Sequence, residues 1–102
     1  PVIVYEVRIV VAPAIEAAWR AWLPDHAREL LALPGFLGAE WFEEPDAGAS
    51  PCFVVQYRLA DQAALDRYLA EDAPRLRADG IARFGEGFTA TRRVLRRVAA
   101  FG

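Results

Sequence analysis

Val2-Ile3-Val4-Tyr5-Glu6-Val7-Arg8-Ile9-Val10-Val11 is dominated by β-branched side chains and reads as a strand. Successive residues of a strand point to opposite faces of the sheet. The odd set, Ile3, Tyr5, Val7, Ile9 and Val11, is wholly apolar or aromatic. The even set, Val2, Val4, Glu6, Arg8 and Val10, mixes apolar residues with two charges. Neither face is made for bulk water.

Outward from this strand the hydrophobic period changes. Pro13 stands where a helix can begin, because its missing N–H would be unpaired there anyway. From it Ile15, Trp19, Trp22, Leu23, His26, Leu30 and Leu33 recur at spacings of three and four, the signature of a helix face. Pro24 interrupts that run. An interior proline removes a hydrogen bond and costs about 3 kcal/mol, which predicts a kink near Leu23 or two short helices. Pro34-Gly35 ends the helical stretch. Phe36 to Glu44 predicts a second strand with Leu37, Ala39 and Trp41 on one side. Pro45 to Pro51 is a loop by composition. Cys52 to Leu59 predicts a third strand, Phe53, Val55, Tyr57 and Leu59 facing one way and Cys52, Val54, Gln56 and Arg58 the other. Asp61 suits the N-cap of a second helix carrying Leu65, Tyr68 and Leu69, which Pro74 breaks or restarts. Phe88 to Val98 reads as a fourth strand.

The resulting order, β-α-β-β-α-β, consists of two interlocked right-handed crossovers. They give an α+β, ferredoxin-like domain over residues 1–102: a four-stranded antiparallel sheet, order 4-1-3-2, with both helices on one face. The other face is then bare in a monomer. Val2, Val4, Val10, Cys52 and Val54 are expected there, and an exposed apolar patch of that kind marks an interface. Two such sheets packed face to face make a homodimer, a dimeric α/β barrel.

The totals agree with one folded domain. The chain has 102 residues, of which 55% are hydrophobic and 25% charged, so a core can form and disorder is excluded. A net charge of −2 gives no general attraction to nucleic acid or to an anionic membrane. With Cys52 alone no intrachain disulfide can form, which fits a reducing compartment. No stretch approaches the roughly 20 apolar residues of a membrane span. Glu6 and Arg8 interrupt the N-terminal apolar run, so it is not a signal peptide, and a cytoplasmic location is expected. Arg92-Arg93 and Arg96-Arg97 do not form one basic stripe, because neighbours on a strand face opposite ways. Nucleic acid is not expected as a partner.

Several segments resemble a small bacterial family known only as a domain of unknown function. They are Ile3-Val4-Tyr5-Glu6-Val7, Trp19-x-x-Trp22-Leu23-x-x-His26, Gln56-Tyr57, Tyr68-Leu69-x-x-x-Ala73-Pro74-Arg75-Leu76-Arg77, Arg83-Phe84-Gly85 and Arg92-Arg93-Val94-Leu95. That family is similar to the dimeric α/β-barrel superfamily. The resemblance implies the ferredoxin-like fold and a face-to-face dimer. Across the wider superfamily it points to cofactor-free monooxygenases, isomerases of small lactones, haem-handling enzymes and amino-acid-sensing modules, and fold alone does not choose among them.

His26 is the only histidine, and its ordinary pKa near 6.5 makes it the natural proton handler. It is the candidate catalytic base; the plainer role is a structural histidine bonded to a backbone carbonyl or capping the kink. Glu6, Arg8, Gln56 and Arg58 are candidate ligand contacts on the bare face, where a barrel would enclose them, or else cross-strand ion pairs. Trp22 and Arg77 complete the ligand candidates, with Arg58 or Arg77 expected to hold an anionic group. Trp19, Trp22 and Trp41 are read first as core. One His and one Cys cannot supply the three or four ligands of a zinc site, so no metal is expected. No cofactor is called for, though a haem held through His26 stays open. Pro1 invites comparison with N-terminal-proline tautomerases, but the element order points elsewhere. The leading expectation is a small-molecule-binding dimer for a polar or acidic ligand, of the cofactor-independent monooxygenase or isomerase kind. The alternative is a non-catalytic ligand-sensing or dimerisation module.

Overall fold

The computed structural model describes residues 1–102. Strand β1 (Ile3–Val11) passes through a 3-10 turn at Pro13–Ile15 into helix α1 (Glu16–Leu31). Then follow β2 (Phe36–Glu43), β3 (Cys52–Leu59), α2 (Gln62–Glu71), α3 (Ala73–Phe84) and β4 (Phe88–Arg96). The four strands form one antiparallel sheet in the order β2-β3-β1-β4, the arrangement expected for a ferredoxin-like α+β fold. β1 is central. It pairs with β3 from Ile3↔Leu59 to Val10↔Cys52 and with β4 from Ile3↔Arg96 to Val11↔Phe88.

The core lies on the odd-numbered face. Ile3, Tyr5, Ile9 and Val11 of β1 and Phe53, Val55, Tyr57 and Leu59 of β3 pack under Trp19, Leu23, Leu30, Leu65, Tyr68 and Leu76 of the helices. The other face carries no helix.

Pro24 neither divides nor ends the first helix: α1 runs unbroken from Glu16 to Leu31. The hydrogen bond lost at the Arg20 carbonyl lies on the exposed side of the helix. Meanwhile Trp19, Leu23 and Leu30 on the same helix are buried, each contributing about 1.5–3 kcal/mol. That anchoring outweighs the proline. The second helical stretch does divide, at Asp72, ahead of Pro74. At its start the Asp61 carboxylate accepts from the Ala64 N–H at 2.9 Å, a cap worth about 1 kcal/mol.

Two strand expectations change. β2 is irregular between Phe36 and Gly38, so Phe36 pairs with Leu59 and packs on the core while Leu37 turns outward. Leu37 therefore does not share a face with Ala39 and Trp41. β4 ends at Arg96 rather than Val98. The Arg97 N–H still donates to the Val2 carbonyl at 2.9 Å, but β1 begins at Ile3 and offers nothing further to pair with. At the α1–β2 junction Gly35 has φ 83°, and a Cβ there would lie 2.4 Å from the Ala64 Cβ. Only glycine permits that turn against α2. No helix is long and apolar enough to cross a membrane.

Candidate functional site

A cavity of about 300 Å³ opens between the helix-facing side of the sheet and helices α1 and α3. Its walls are mainly aromatic and aliphatic, and its polar groups are few. They are His26 from α1, the three tyrosines of the chain, Tyr5, Tyr57 and Tyr68, and two arginines, Arg77 of α3 and Arg92 of β4. A mostly apolar cavity with a small set of convergent polar groups is the usual form of a small-molecule site.

β1 and β3 bring Tyr5 and Tyr57 side by side through their register, and α2 lays Tyr68 edge-on to Tyr5 with ring centroids 5.6 Å apart. All three side chains are at most 5% exposed. Arg77 donates from Nη2 to the Tyr5 hydroxyl oxygen at 2.8 Å. No protein group bonds the Tyr57 or Tyr68 hydroxyl, yet neither oxygen is sealed away from solvent-sized space. Both are free to meet a ligand in the cavity. Burial pushes the Tyr57 hydroxyl far above the usual tyrosine range, and burial raises Tyr68 to about 12, with the charge of Tyr5 adding to it. Both are therefore neutral donors at pH 7.

His26 stacks on Trp22, centroids 4.3 Å apart and planes 22° from parallel, and Phe84 meets Trp22 edge-on at 5.4 Å. The imidazole has no hydrogen-bond partner in the chain, so the expected structural bond to a backbone carbonyl is absent. Burial pulls its pKa below the ordinary value. The charges of Glu29 and Asp79 oppose that pull, and the charge of Arg92 adds to it. The ring is neutral at pH 7, able to accept a proton.

Glu6, Arg8, Gln56 and Arg58 lie on the opposite side of the sheet, not beside His26. The seven candidate residues thus fall into two groups: Trp22, His26 and Arg77 at the cavity, and these four on the uncovered face. Register explains the split, since even-numbered residues of β1 and β3 face away from the helices. There they bond one another. Glu6 accepts from Gln56 at 2.9 Å and from Arg93 across the β1–β4 pair. Its pKa is lowered first by the Arg93 bond and then by the Gln56 bond. Arg8 pairs with Glu44 at 2.7 Å, and Arg58 approaches Glu40 at 3.7 Å.

Cys52 sits on this face by register but is buried, its thiol donating to Glu44. Burial and then that bond raise its pKa, the reverse of what a nucleophile needs. No three His, Cys, Asp or Glu side chains come together as a metal site. His26 is the one imidazole at the cavity that could ligate a haem iron. Of the tryptophans, Trp19 is core, Trp22 is cavity wall, and Trp41 is partly exposed and edge-on to Trp19 at 5.8 Å.

Tyr5, Tyr57 and Arg92 were not among the ligand contacts expected from sequence, and Tyr68 was weighed with Arg77 against a structural role. The signal was present: Tyr5 and Tyr57 are the hydroxyl-bearing members of otherwise apolar strand faces.

The sheet order and the helices on one of its faces, with a histidine-bearing cavity between them, define a ferredoxin-like α+β protein. Residues 2–98 match the family described as a domain of unknown function, DUF4286, and the chain belongs to that family. No curated protein sequence matches it. Among solved structures it is similar to SnoaB, a cofactor-independent oxygenase from Streptomyces nogalater. That pair is 19% identical with TM-score 0.74, covering 97% of this chain and 95% of that one. It is similar to Rv0793 from Mycobacterium tuberculosis at 21% identity and TM-score 0.75, with both chains covered in full. It is also similar to a dimeric ferredoxin-like protein from an uncultured marine organism at 14% identity and TM-score 0.65, covering 99% of each chain.

Proposed function

We propose that residues 1–102 act as one unit that binds a small molecule in the helix-side cavity, works as a homodimer through the uncovered sheet face, and oxygenates its ligand without a cofactor. The observation that carries this reading is a lone, unbonded His26 beside unpartnered tyrosine hydroxyls in an otherwise apolar cavity. The likeness in fold to a cofactor-independent oxygenase supports the choice of chemistry.

In such a reaction the substrate supplies the electrons. Neutral His26 takes a proton from an acidic C–H next to a conjugated ring system. The carbanion so formed gives its electrons to O2, and the carbon–oxygen bond forms. Loss of water converts the CH2 group to C=O, one oxygen atom remaining in the product and the other leaving as water. Glu29 and Asp79 favour the imidazolium that forms. Tyr57 and Tyr68 are placed to donate to the developing oxyanion, an arrangement worth most where water is excluded.

Assembly through the other face is supported by its make-up. Phe42 and Leu95 are 44% and 37% exposed there, flanking Val4, Val10 and Val54 around the Glu6–Arg93–Gln56 network. The molecule is 39 × 32 Å across and only 19 Å thick, broad enough for the roughly 800 Å² per partner of a standard interface.

An oxygen electrode tests the chemistry. Purified protein with a panel of one- and two-ring aromatic substrates carrying an activated methylene, and no added metal or cofactor, is expected to consume one O2 per substrate. His26→Ala is expected to lower kcat by about 10²–10⁴, the usual contribution of a general base. Full activity in that variant contradicts the assignment. Binding without any oxygen uptake returns the protein to the ligand-sensing alternative.

A further inference from the structure

We propose that the cavity's ligand is a small planar acid of one or two fused rings, its carboxylate held by Arg92 and Arg77 and its ring lying towards Trp22 and His26. This rests on the helix-side cavity being the ligand site and narrows what that site accepts.

Charge pairing is the first argument. Arg75 and Arg93, close in sequence to the two cavity arginines, are spent on Asp72 and Glu6. Arg77 and Arg92 face the cavity with no carboxylate partner, Arg77 bonded only to the neutral Tyr5 hydroxyl. Arginine forks match a carboxylate in geometry and charge. Two arginines lining one cavity without a carboxylate partner suit an anion.

Both arginines act electrostatically on Tyr68, and the acid that also acts there, Asp72, is already paired with Arg75 at 3.3 Å. Glu29 and Asp79 act on His26 together with Arg92. An anionic head therefore seats against Arg77 and Arg92, and the uncharged part of the ligand is left to the Trp22–His26 stack.

Shape and size set the remainder. The Trp22–His26 stack and the edge of Phe88 offer flat apolar contact. A volume of about 300 Å³ is at the bottom of the range for small-molecule sites, which favours one or two rings over four.

Isothermal titration with four probes tests this: 1-hydroxy-2-naphthoate, its primary amide, 1-naphthol and pyrene-1-carboxylate. The naphthoate is expected to bind at least about tenfold tighter than the amide, the size of one to two charge-assisted hydrogen bonds. The pyrene acid is expected not to bind. Arg92→Leu changes an exposed side chain, so the fold is retained, as circular dichroism can verify. With Arg77 still in place, it is expected to cut the acid's preference over the amide at least about threefold while leaving the amide unchanged. Equal binding of acid and amide by the wild-type protein, or an acid preference undiminished in Arg92→Leu, overturns the ligand class and leaves the cavity reading intact. Pyrene acid binding as tightly as the naphthoate overturns the size limit. If naphthoate, amide and 1-naphthol all fail to bind, the cavity reading itself falls.

Discussion

The two faces of the sheet use the same kinds of residue to opposite ends. On the uncovered face Glu6, Gln56 and Arg93 satisfy one another, as do Arg8 and Glu44. On the covered face Tyr57, Tyr68, His26 and Arg92 have no protein partner. Polar groups already bonded to each other can be buried against a second protein at little cost, because none is left unsatisfied. Polar groups left free in an apolar cavity gain most from a ligand that satisfies them. One face is thus finished as a surface, and the other is finished only when occupied. Arg92 and Arg93, adjacent in sequence, belong to different ones.

The largest separation of the two faces is expected from Val54→Asp, which puts a second carboxylate on the uncovered face beside Arg8, already engaged by Glu44, so that the two acids must share one arginine. Desolvating an uncompensated charge in an interface costs several kcal/mol, so the dimer dissociation constant should rise by about 10² or more. Ligand affinity per chain should not change, because the cavity is built from one chain. Analytical ultracentrifugation and titration of the same sample check both parts. A loss of ligand affinity that tracks the loss of dimer would mean the faces are not independent.

A smaller effect sharpens the contrast at adjacent positions. Arg93→Leu unpairs Glu6 and is expected to weaken assembly by about tenfold, in line with a 1–2 kcal/mol loss around a charged hydrogen bond. It should leave the cavity's preference for acids untouched. Arg92→Leu should do the reverse. Identical behaviour of the two variants would break the division.

Acid titration should show two further, weaker effects in separate windows. His26 has its pKa lowered by burial, with Glu29 and Asp79 opposing and Arg92 assisting. Its folded form binds a proton less readily than its unfolded form, so stability is complete above about pH 6.5 and declines as pH falls below it. Glu6 is lowered by Arg93 and Gln56, so its contribution holds above its ordinary value of 4.5 and is lost only as pH falls further. Denaturant midpoints should therefore drop in two stages. His26→Gln should remove the upper stage and Glu6→Gln the lower.

The fold was legible from sequence because β1 and β3 keep strict alternation over their full length, and a period of two leaves little freedom in assigning faces. Two features were hidden. The β2 irregularity after Phe36 shifts register by a local backbone departure that no side-chain pattern announces. Pro24 was read by its intrinsic cost, whereas the packing of Trp19, Leu23 and Leu30 decides the helix. His26 stood out by being alone. Its partners did not, for two reasons. A tyrosine on an apolar strand face reads as core until its hydroxyl is followed to its end. And the strand charges of Glu6, Arg8, Gln56 and Arg58 drew attention to the uncovered face: polar residues are easy to see in sequence, but whether they are already bonded to each other is not.

Sedimentation equilibrium of the wild-type protein at micromolar concentration bears most directly on the claim that one sheet face serves a second copy while the other serves a ligand. The expected particle has twice the 11.3 kDa mass of the chain, falling to a single chain in Val54→Asp with the fold unchanged. A wild-type protein that sediments as one chain, with Val4, Val54 and Phe42 open to water, would contradict it.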